Sequence, residues 1–90
     1  MTKIYIAIAS LAMDLKRVAL GFYQGSDKTA RLFCQEALER IEEIEKQDLK
    51  PYLRKYLNKL PEVLSQKDEK KIAEDALMYS TIFQNYALHN

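Results

Sequence analysis

Apolar residues recur along this chain every three or four positions, which is the period of an α-helix buried on one side. The first segment, from about Lys3 to Tyr23, places on one face the residues Ile4, Ile8, Leu11, Leu15, Val18 and Phe22. Its isoleucines also alternate as in a strand, but a lone strand would have no partner in this chain. The run Tyr23-Gln24-Gly25-Ser26 predicts the end of the helix, with Gly25 as a left-handed cap.

A second helix is predicted from Ser26 or Asp27, either of which can act as its N-cap, to about Gln47. Its apolar row is the clearest in the chain and consists of Ala30, Phe33, Cys34, Ala37, Leu38, Ile41 and Ile44. The opposite face is charged, as expected for a helix with one side in water. The position of Cys34 in this row favours a buried, unreactive core residue over a nucleophile.

Two further helices are predicted in the second half of the chain. The third follows Asp48, which can cap it, with Pro51 in the first turn, where a missing N–H costs little. Its apolar row is Leu49, Leu53, Tyr56, Leu57, Leu60 and Leu64. Pro61 is expected to kink this helix or to end it, because proline removes a backbone donor. Asp68 is predicted to cap the fourth helix, whose inner row is Ile72, Ala73, Ala76, Tyr79, Ser80, Phe83, Tyr86 and Ala87.

These four segments and their short connections predict the fold class. Short loops favour antiparallel neighbours, so we expect an all-α, four-helix antiparallel bundle in up-down-up-down order. Two separate cores of about 45 residues each would be too small to be stable, which favours one domain. With only 2 glycines and 2 prolines, the chain has little material for the turns of a β fold. We therefore assign residues 1–90 to a single helical-bundle domain.

The candidate chemistry argues against an enzyme. The chain has one histidine, His89, and no Glu-x-x-His motif, so neither a metal site nor a Ser-His-Asp triad is predicted. It has no Gly-rich phosphate loop, and no cofactor is expected. A net charge of +1 gives no strong field that would attract nucleic acid or a membrane. The apolar run from Ile4 to Met13 is shorter than the about 20 residues that span a bilayer, so we expect a cytoplasmic protein without membrane association.

A basic strip on the third helix is a candidate anion-binding surface, and it consists of Lys50, Arg54, Lys55 and Lys59. Tyr52 and Tyr56 lie between these residues, so the strip could bind phosphates and stack on bases. The alternative is that the positive charges complement the acidic second helix inside the fold. Four cations are few for a nucleic-acid site, so we favour this alternative and expect no binding to nucleic acid.

Two helices carry apolar residues on the side turned away from the predicted core. In the first helix these residues recur every seven positions and are Ile6, Met13 and Leu20. In the fourth helix they are Met78 and Ile82. The rest of the outer arc of the first helix is polar and consists of Lys3, Ser10, Asp14, Arg17 and Gln24. Outer apolar rows on two helices of one small protein predict an interface with another protein.

The leading hypothesis is a non-enzymatic interaction module that self-associates as a homodimer and can also present a surface to a heterologous protein. One alternative is a small nucleic-acid-associated or regulatory bundle that uses the basic third helix. Another is an immunity- or antitoxin-like protein that binds one cognate partner, which the size and the fold permit. Salt separates the first two hypotheses, because phosphate binding weakens steeply as the salt concentration rises.

Overall fold

The computed structural model describes residues 2–89, and the side chains of residues 4–88. This part of the chain forms four α-helices and one 3-10 helix, which are α1 (Thr2–Tyr23), α2 (Asp27–Glu43), the 3-10 helix (Lys46–Asp48), α3 (Pro51–Leu64) and α4 (Glu69–His89). No strand occurs in these residues. The predicted all-α bundle of four helices is therefore confirmed.

The turn between α1 and α2 has the conformation that the sequence predicts. Gly25 has a positive φ of 77° and adopts the left-handed conformation that caps a helix. The N–H of Ser26 donates to the carbonyl of Gly21 at 2.8 Å, and that of Gly25 to the carbonyl of Phe22 at 3.1 Å. A Cβ atom added to Gly21 would lie only 2.9 Å from the Cβ of Ala30. The two helices are therefore in close contact where they leave the turn.

The connection between α2 and α3 differs from the prediction. α2 ends at Glu43 instead of near Gln47, because the backbone of Ile44 is extended, with φ −85° and ψ 126°. The 3-10 helix follows, and it includes Asp48, which the sequence suggested as the cap of the third helix. Ile44 and Leu49 are both buried, whereas the four residues between them are exposed. The chain leaves the helical conformation so that both apolar side chains reach the core.

α3 has Pro51 in its first turn, as predicted, but it begins at this residue with Lys50 as its N-cap instead of Asp48, and it continues through Pro61 to Leu64. Because proline has no N–H, the carbonyl of Leu57 lacks the donor that a helix normally supplies four residues later. The hydroxyl of Ser65 donates to the carbonyl of Pro61 at 2.7 Å and helps to close the last turn. The helix thus ends shortly after Pro61, and a kink at this residue stays a prediction.

α4 begins with the side-chain cap that the sequence predicts. Oδ1 of Asp68 accepts hydrogen bonds from the backbone N–H groups of Lys70, at 3.0 Å, and Lys71, at 3.3 Å. These N–H groups belong to the first turn, where backbone donors have no partner within the helix. The cap therefore satisfies two donors and fixes the start of α4.

α1 packs against both α2 and α4. Near its start, the ring of Tyr5 stacks on the ring of Tyr86, with centroids 5.7 Å apart. Near its middle, the carbonyl of Ala12 accepts a hydrogen bond of 2.8 Å from the hydroxyl of Ser80. Since later residues of α1 contact earlier residues of α4, these two helices run in opposite directions.

The core contains the predicted inner rows and, in addition, Ala12, Ala19 and Val63. Every residue of the four rows is buried or half-buried. The largest fully buried side chains belong to α1, α3 and α4 and are Phe83, Ile8, Leu11, Leu15, Leu53, Leu57, Leu60, Ile72 and Val18. Burying one such side chain stabilises the fold by about 1.5–3 kcal/mol. The core thus accounts for one face of each helix and leaves the opposite faces to be explained.

Candidate functional site

The outer row of α1 consists of Ile6, Met13 and Leu20 and is exposed. The exposed fractions of these side chains are 60%, 49% and 44%. Positions seven residues apart drift by only about 20° around a straight helix, so the three side chains share one face. That face lies opposite to the fully buried side chains of Leu11 and Leu15. The sequence therefore placed these three residues correctly on the outside, whereas their role in an interface stays a prediction.

Three further residues complete a heptad pattern on this face and were not predicted. Each follows a member of the outer row by three positions, and they are Ala9, Lys16 and Tyr23. All three are exposed. The spacing matches that of the a and d positions of a heptad, with apolar residues at a and Ala, Lys and Tyr at d. The sequence contained the signal, which is the constant offset of three residues from each member of the row.

The two predicted interface residues of α4, Met78 and Ile82, differ in exposure. Met78 is exposed, but Ile82 is half-buried and packs against the core, because four residues turn a helix about 40° further. Ser80 marks the side of α4 that faces α1, since it donates to the carbonyl of Ala12. Leu77 lies one turn before Ser80 and is 41% exposed, whereas Met78 lies about 160° away from Ser80 around the helix. Leu77 thus lies on the margin of α4 next to α1, whereas the role of Met78 and Ile82 in an interface stays a prediction.

Asp14 is buried, although the sequence placed it on the polar outer arc. Asp14 is only 2% exposed, and its Oδ2 atom accepts a hydrogen bond of 2.8 Å from Nε of Arg40 in α2. This hydrogen bond raises the pKa of the Arg40 guanidinium above its ordinary value. Arg17 lies 4.0 Å from the other carboxylate oxygen and 5.4 Å from the ring centroid of Phe33. The ion pair between Asp14 and Arg40 joins α1 to α2 and therefore has a structural role.

The predicted basic strip is divided between two sides of α3. Lys50 and Arg54 lie one turn apart, and so do Lys55 and Lys59, but the second pair is about 140° further around the helix. Only the second pair borders a groove of about 380 Å³ between α3 and α4. We name this the tyrosine groove, and it is lined by Tyr52, Lys55, Tyr56, Lys59 and Tyr79. Its wall from α4, Tyr79, could not be assigned from the sequence of the third helix alone.

Aromatic rings form the floor of the tyrosine groove. The rings of Tyr56 and Tyr79 meet edge to face, with centroids 5.6 Å apart and an angle of 84° between their planes. Behind them, the ring of Phe83 lies 6.3 Å from that of Tyr79. Burial raises the pKa of the Tyr79 hydroxyl, and the negative charge of Asp75 raises it further. Tyr79 is therefore neutral at ordinary pH.

Cys34 is buried, as predicted, with an exposed fraction of 8%. Burial raises the pKa of its thiol, and the positive charge of Arg31 offsets this only in part. That the Cys34 thiol of the folded protein reacts only slowly with a thiol reagent stays a prediction. Within residues 4–88, no three His, Cys, Asp or Glu side chains are grouped so that they could hold a metal ion. The side chain of His89 lies outside the described residues.

In the described part of the chain, no helix combines the length and the apolar character that crossing a membrane requires. Comparisons with protein-family models, curated proteins and solved structures found no match. The structure itself defines the class of protein, which is a small four-helix bundle with an exposed apolar row on its first helix. Function is therefore inferred from the residues of this chain.

Proposed function

We propose that this protein is a non-enzymatic interaction module that forms a homodimer, with the outer face of α1 as the interface. The observation that supports this most directly is the heptad spacing of the exposed outer row. A single exposed apolar residue is ordinary, but an ordered apolar row is typical of a surface that contacts another chain. Two-fold association covers such a face economically, because each subunit supplies the same surface.

An antiparallel pair of α1 helices fits these residues best. In this arrangement each a position packs beside a d position of the other helix, so that Leu20 lies beside the small Ala9 of the partner subunit. Met13 then packs along the aliphatic stem of Lys16 of the partner subunit, whose ammonium group reaches the solvent. A parallel pair would instead bring the two copies of Lys16 directly together, and their like charges would repel.

Two other features fit this proposal. Leu77 of α4 borders the outer face and extends the apolar area that a second subunit would cover. Lys16 lies in the middle of the seam, and a lysine there specifies one orientation at a cost in stability, so we expect a modest affinity. We further propose a cytoplasmic location, which suits the single unpaired thiol of Cys34.

The experiment is light scattering on a sizing column with native protein and the variant Ala9→Glu, because Ala9 faces the apolar Leu20 of the partner subunit and not Lys16. We expect native protein to have twice the chain mass of 10.5 kDa and the variant to have the single chain mass. Burying an unpaired carboxylate at the seam costs several kcal/mol, which a modest dimer cannot offset. Leu32→Glu is the matched control, because Leu32 is 59% exposed on α2, away from the seam. Circular dichroism checks that both variants stay helical.

Two results would contradict the proposal. Native protein that stays at the single chain mass of 10.5 kDa at high concentration would exclude a homodimer. Dissociation by Met78→Glu, with Ala9→Glu still dimeric, would move the interface to the α3 side of α4. Met78 is 51% exposed on that side and therefore tests this alternative directly.

A further inference from the structure

The tyrosine groove lies outside the interface of the proposed dimer. It lies between α3 and α4, whereas the outer row lies on α1. Its volume of about 380 Å³ is within the range of small-molecule sites. A groove of this size cannot hold a folded partner, but it can hold one ring with a short substituent.

The floor of the groove is aromatic and supported from behind. Tyr79 is 5% exposed and lies between the rings of Tyr56 and Phe83, the last of which is fully buried. Tyr52, one turn before Tyr56, is 50% exposed at the edge. Rings that are held in this way offer a flat ligand a surface for stacking without ordering flexible side chains first.

The charge of the groove comes from two lysines. Lys55 and Lys59 lie one turn apart on α3, and none of the five lining residues is acidic. Outside the lining, the carboxylates of Asp75 and Glu62 are close enough to raise the pKa of the Tyr79 hydroxyl. Asp75 already accepts a hydrogen bond of 3.0 Å from Gln66 and pairs with Lys71 at 3.2 Å. Two ammonium groups match the charge of a phosphate monoester, which is about −1.5 to −2 at neutral pH.

We propose that the tyrosine groove binds a small aromatic phosphate monoester. The aromatic ring stacks on Tyr52 and Tyr56, while Lys55 and Lys59 bind the phosphate. A free metabolite and the terminal nucleotide of a nucleic-acid strand share this chemistry, and the proposal commits to the free small molecule. The net charge of +1 provides no extended basic surface for a strand.

The experiment is a titration of the native protein with phenyl phosphate, followed by NMR shifts of the tyrosine ring protons. Inorganic phosphate and phenol are the controls that each contain half of the ligand. We expect phenyl phosphate to bind at least about tenfold more tightly than either, because stacking and charge-assisted hydrogen bonds both contribute. The shifts should be confined to Tyr52, Tyr56 and Tyr79. Equal binding of inorganic phosphate, or shifts mainly at Tyr23, would overturn the proposal.

Two double variants of α3 test the charge. Lys55→Gln with Lys59→Gln should weaken binding of phenyl phosphate at least about tenfold. Lys50→Gln with Arg54→Gln removes the same charge at the same spacing on the other side of α3 and should change the affinity less than about twofold. Equal losses in the two variants would show only general attraction of anions and would overturn the site. Tighter binding of a single-stranded oligonucleotide than of phenyl phosphate would overturn the choice of a small molecule.

Discussion

The two sides of α4 contact their neighbours in opposite ways. Toward α1 the side chains are small and recur every seven residues, as Ala73, Ser80 and Ala87. The positions one residue earlier are large, as Ile72, Tyr79 and Tyr86. Tyr79 turns toward α3, whereas Tyr86 also stacks on Tyr5 near the start of α1. The hydroxyl of Ser80 reaches the backbone carbonyl of Ala12 at 2.8 Å. On the other side, the ring centroid of Tyr79 lies 5.6 Å from that of Tyr56.

This difference shows that side-chain size determines what each contact can do. Small residues let the backbones of α1 and α4 approach closely enough for a side chain to bond the other main chain. Tyrosine rings hold α3 further from α4 and leave the tyrosine groove open between them. The α1 side is therefore a closed structural contact, whereas the α3 side keeps room for a ligand.

The largest loss of stability is expected when a larger side chain is placed at the contact between α1 and α4. Ser80→Leu should lower the free energy of unfolding by about 3 kcal/mol, since it combines over-packing with the loss of a buried hydrogen bond. Tyr79→Leu, at the adjacent position, should cost only about 1–2 kcal/mol, because the groove beside it can adjust. Urea unfolding followed by circular dichroism measures both variants. A greater loss for Tyr79→Leu would show that the two contacts do not differ as described.

The next largest loss of stability is expected at the contact between α1 and α2. Arg40→Met leaves the buried carboxylate of Asp14 without its closest partner, which should cost about 2 kcal/mol. This figure allows for the partial exposure of the Arg40 side chain. Arg17→Met is the matched control, because Arg17 is 4.0 Å from Asp14 and half exposed, and it should cost about 0.5 kcal/mol or less. Similar losses in the two variants in urea unfolding would mean that Arg40 is not the main partner.

The aromatic contact should reveal itself at alkaline pH. Burial raises the pKa of Tyr79 above its ordinary value of 10.0. The stabilisation from keeping this hydroxyl neutral is complete below about pH 10 and is lost as the pH rises through the folded-state pKa. Tyr79→Phe should therefore reduce the alkaline loss of stability, whereas Tyr23→Phe, at a position 54% exposed, should not. Thermal unfolding from about pH 8 to about pH 11.5 provides the comparison. Identical pH profiles for the two variants would exclude Tyr79 as a source of the loss.

The smallest effect on stability is expected on the outer face of α1. Ala9→Cys combined with Leu20→Cys should change the free energy of unfolding by about 0.5 kcal/mol or less, since both positions are exposed. In an antiparallel dimer the two cysteines of different subunits are neighbours and should form a disulfide under mild oxidation. Leu20→Cys alone should not cross-link in this arrangement, and efficient cross-linking of that single variant would indicate a parallel pair. Gel electrophoresis without reductant distinguishes these outcomes.

The elements that depend on neighbouring residues were predictable from the sequence. The inner rows follow from helical periodicity, and Gly25 and Asp68 act within a few residues of their own positions. The end of α2 was not predictable, because Ile44 leaves the helix to enter a core that distant segments provide. Asp14 could not be placed from its own helix, since its partner, Arg40, lies 26 residues away. Local patterns thus define the helices, whereas contacts between helices determine whether residues at the edge of each apolar face are buried.

The same distinction between local patterns and contacts between helices applies to the residues of the candidate site. The seven-residue spacing of the outer row is a local signal, and the exposure of these residues followed from it. Which side of α4 borders that row depends on the bond between Ser80 and Ala12, which pairs residues 68 positions apart. Likewise, the sequence of α3 contains Lys55 and Lys59 but cannot indicate that Tyr79 of α4 completes a groove beside them.

The two glycines beside the first turn would constrain the divergence of this chain in different ways. Gly25 has a left-handed backbone, but nothing lies within 4 Å of an added Cβ, so asparagine, which visits this conformation, would be accepted there. At Gly21 the obstacle is space, because an added Cβ would lie 2.9 Å from Ala30. Any variant of this chain that keeps the two helices at this distance therefore needs a glycine at position 21 opposite the small side chain of Ala30.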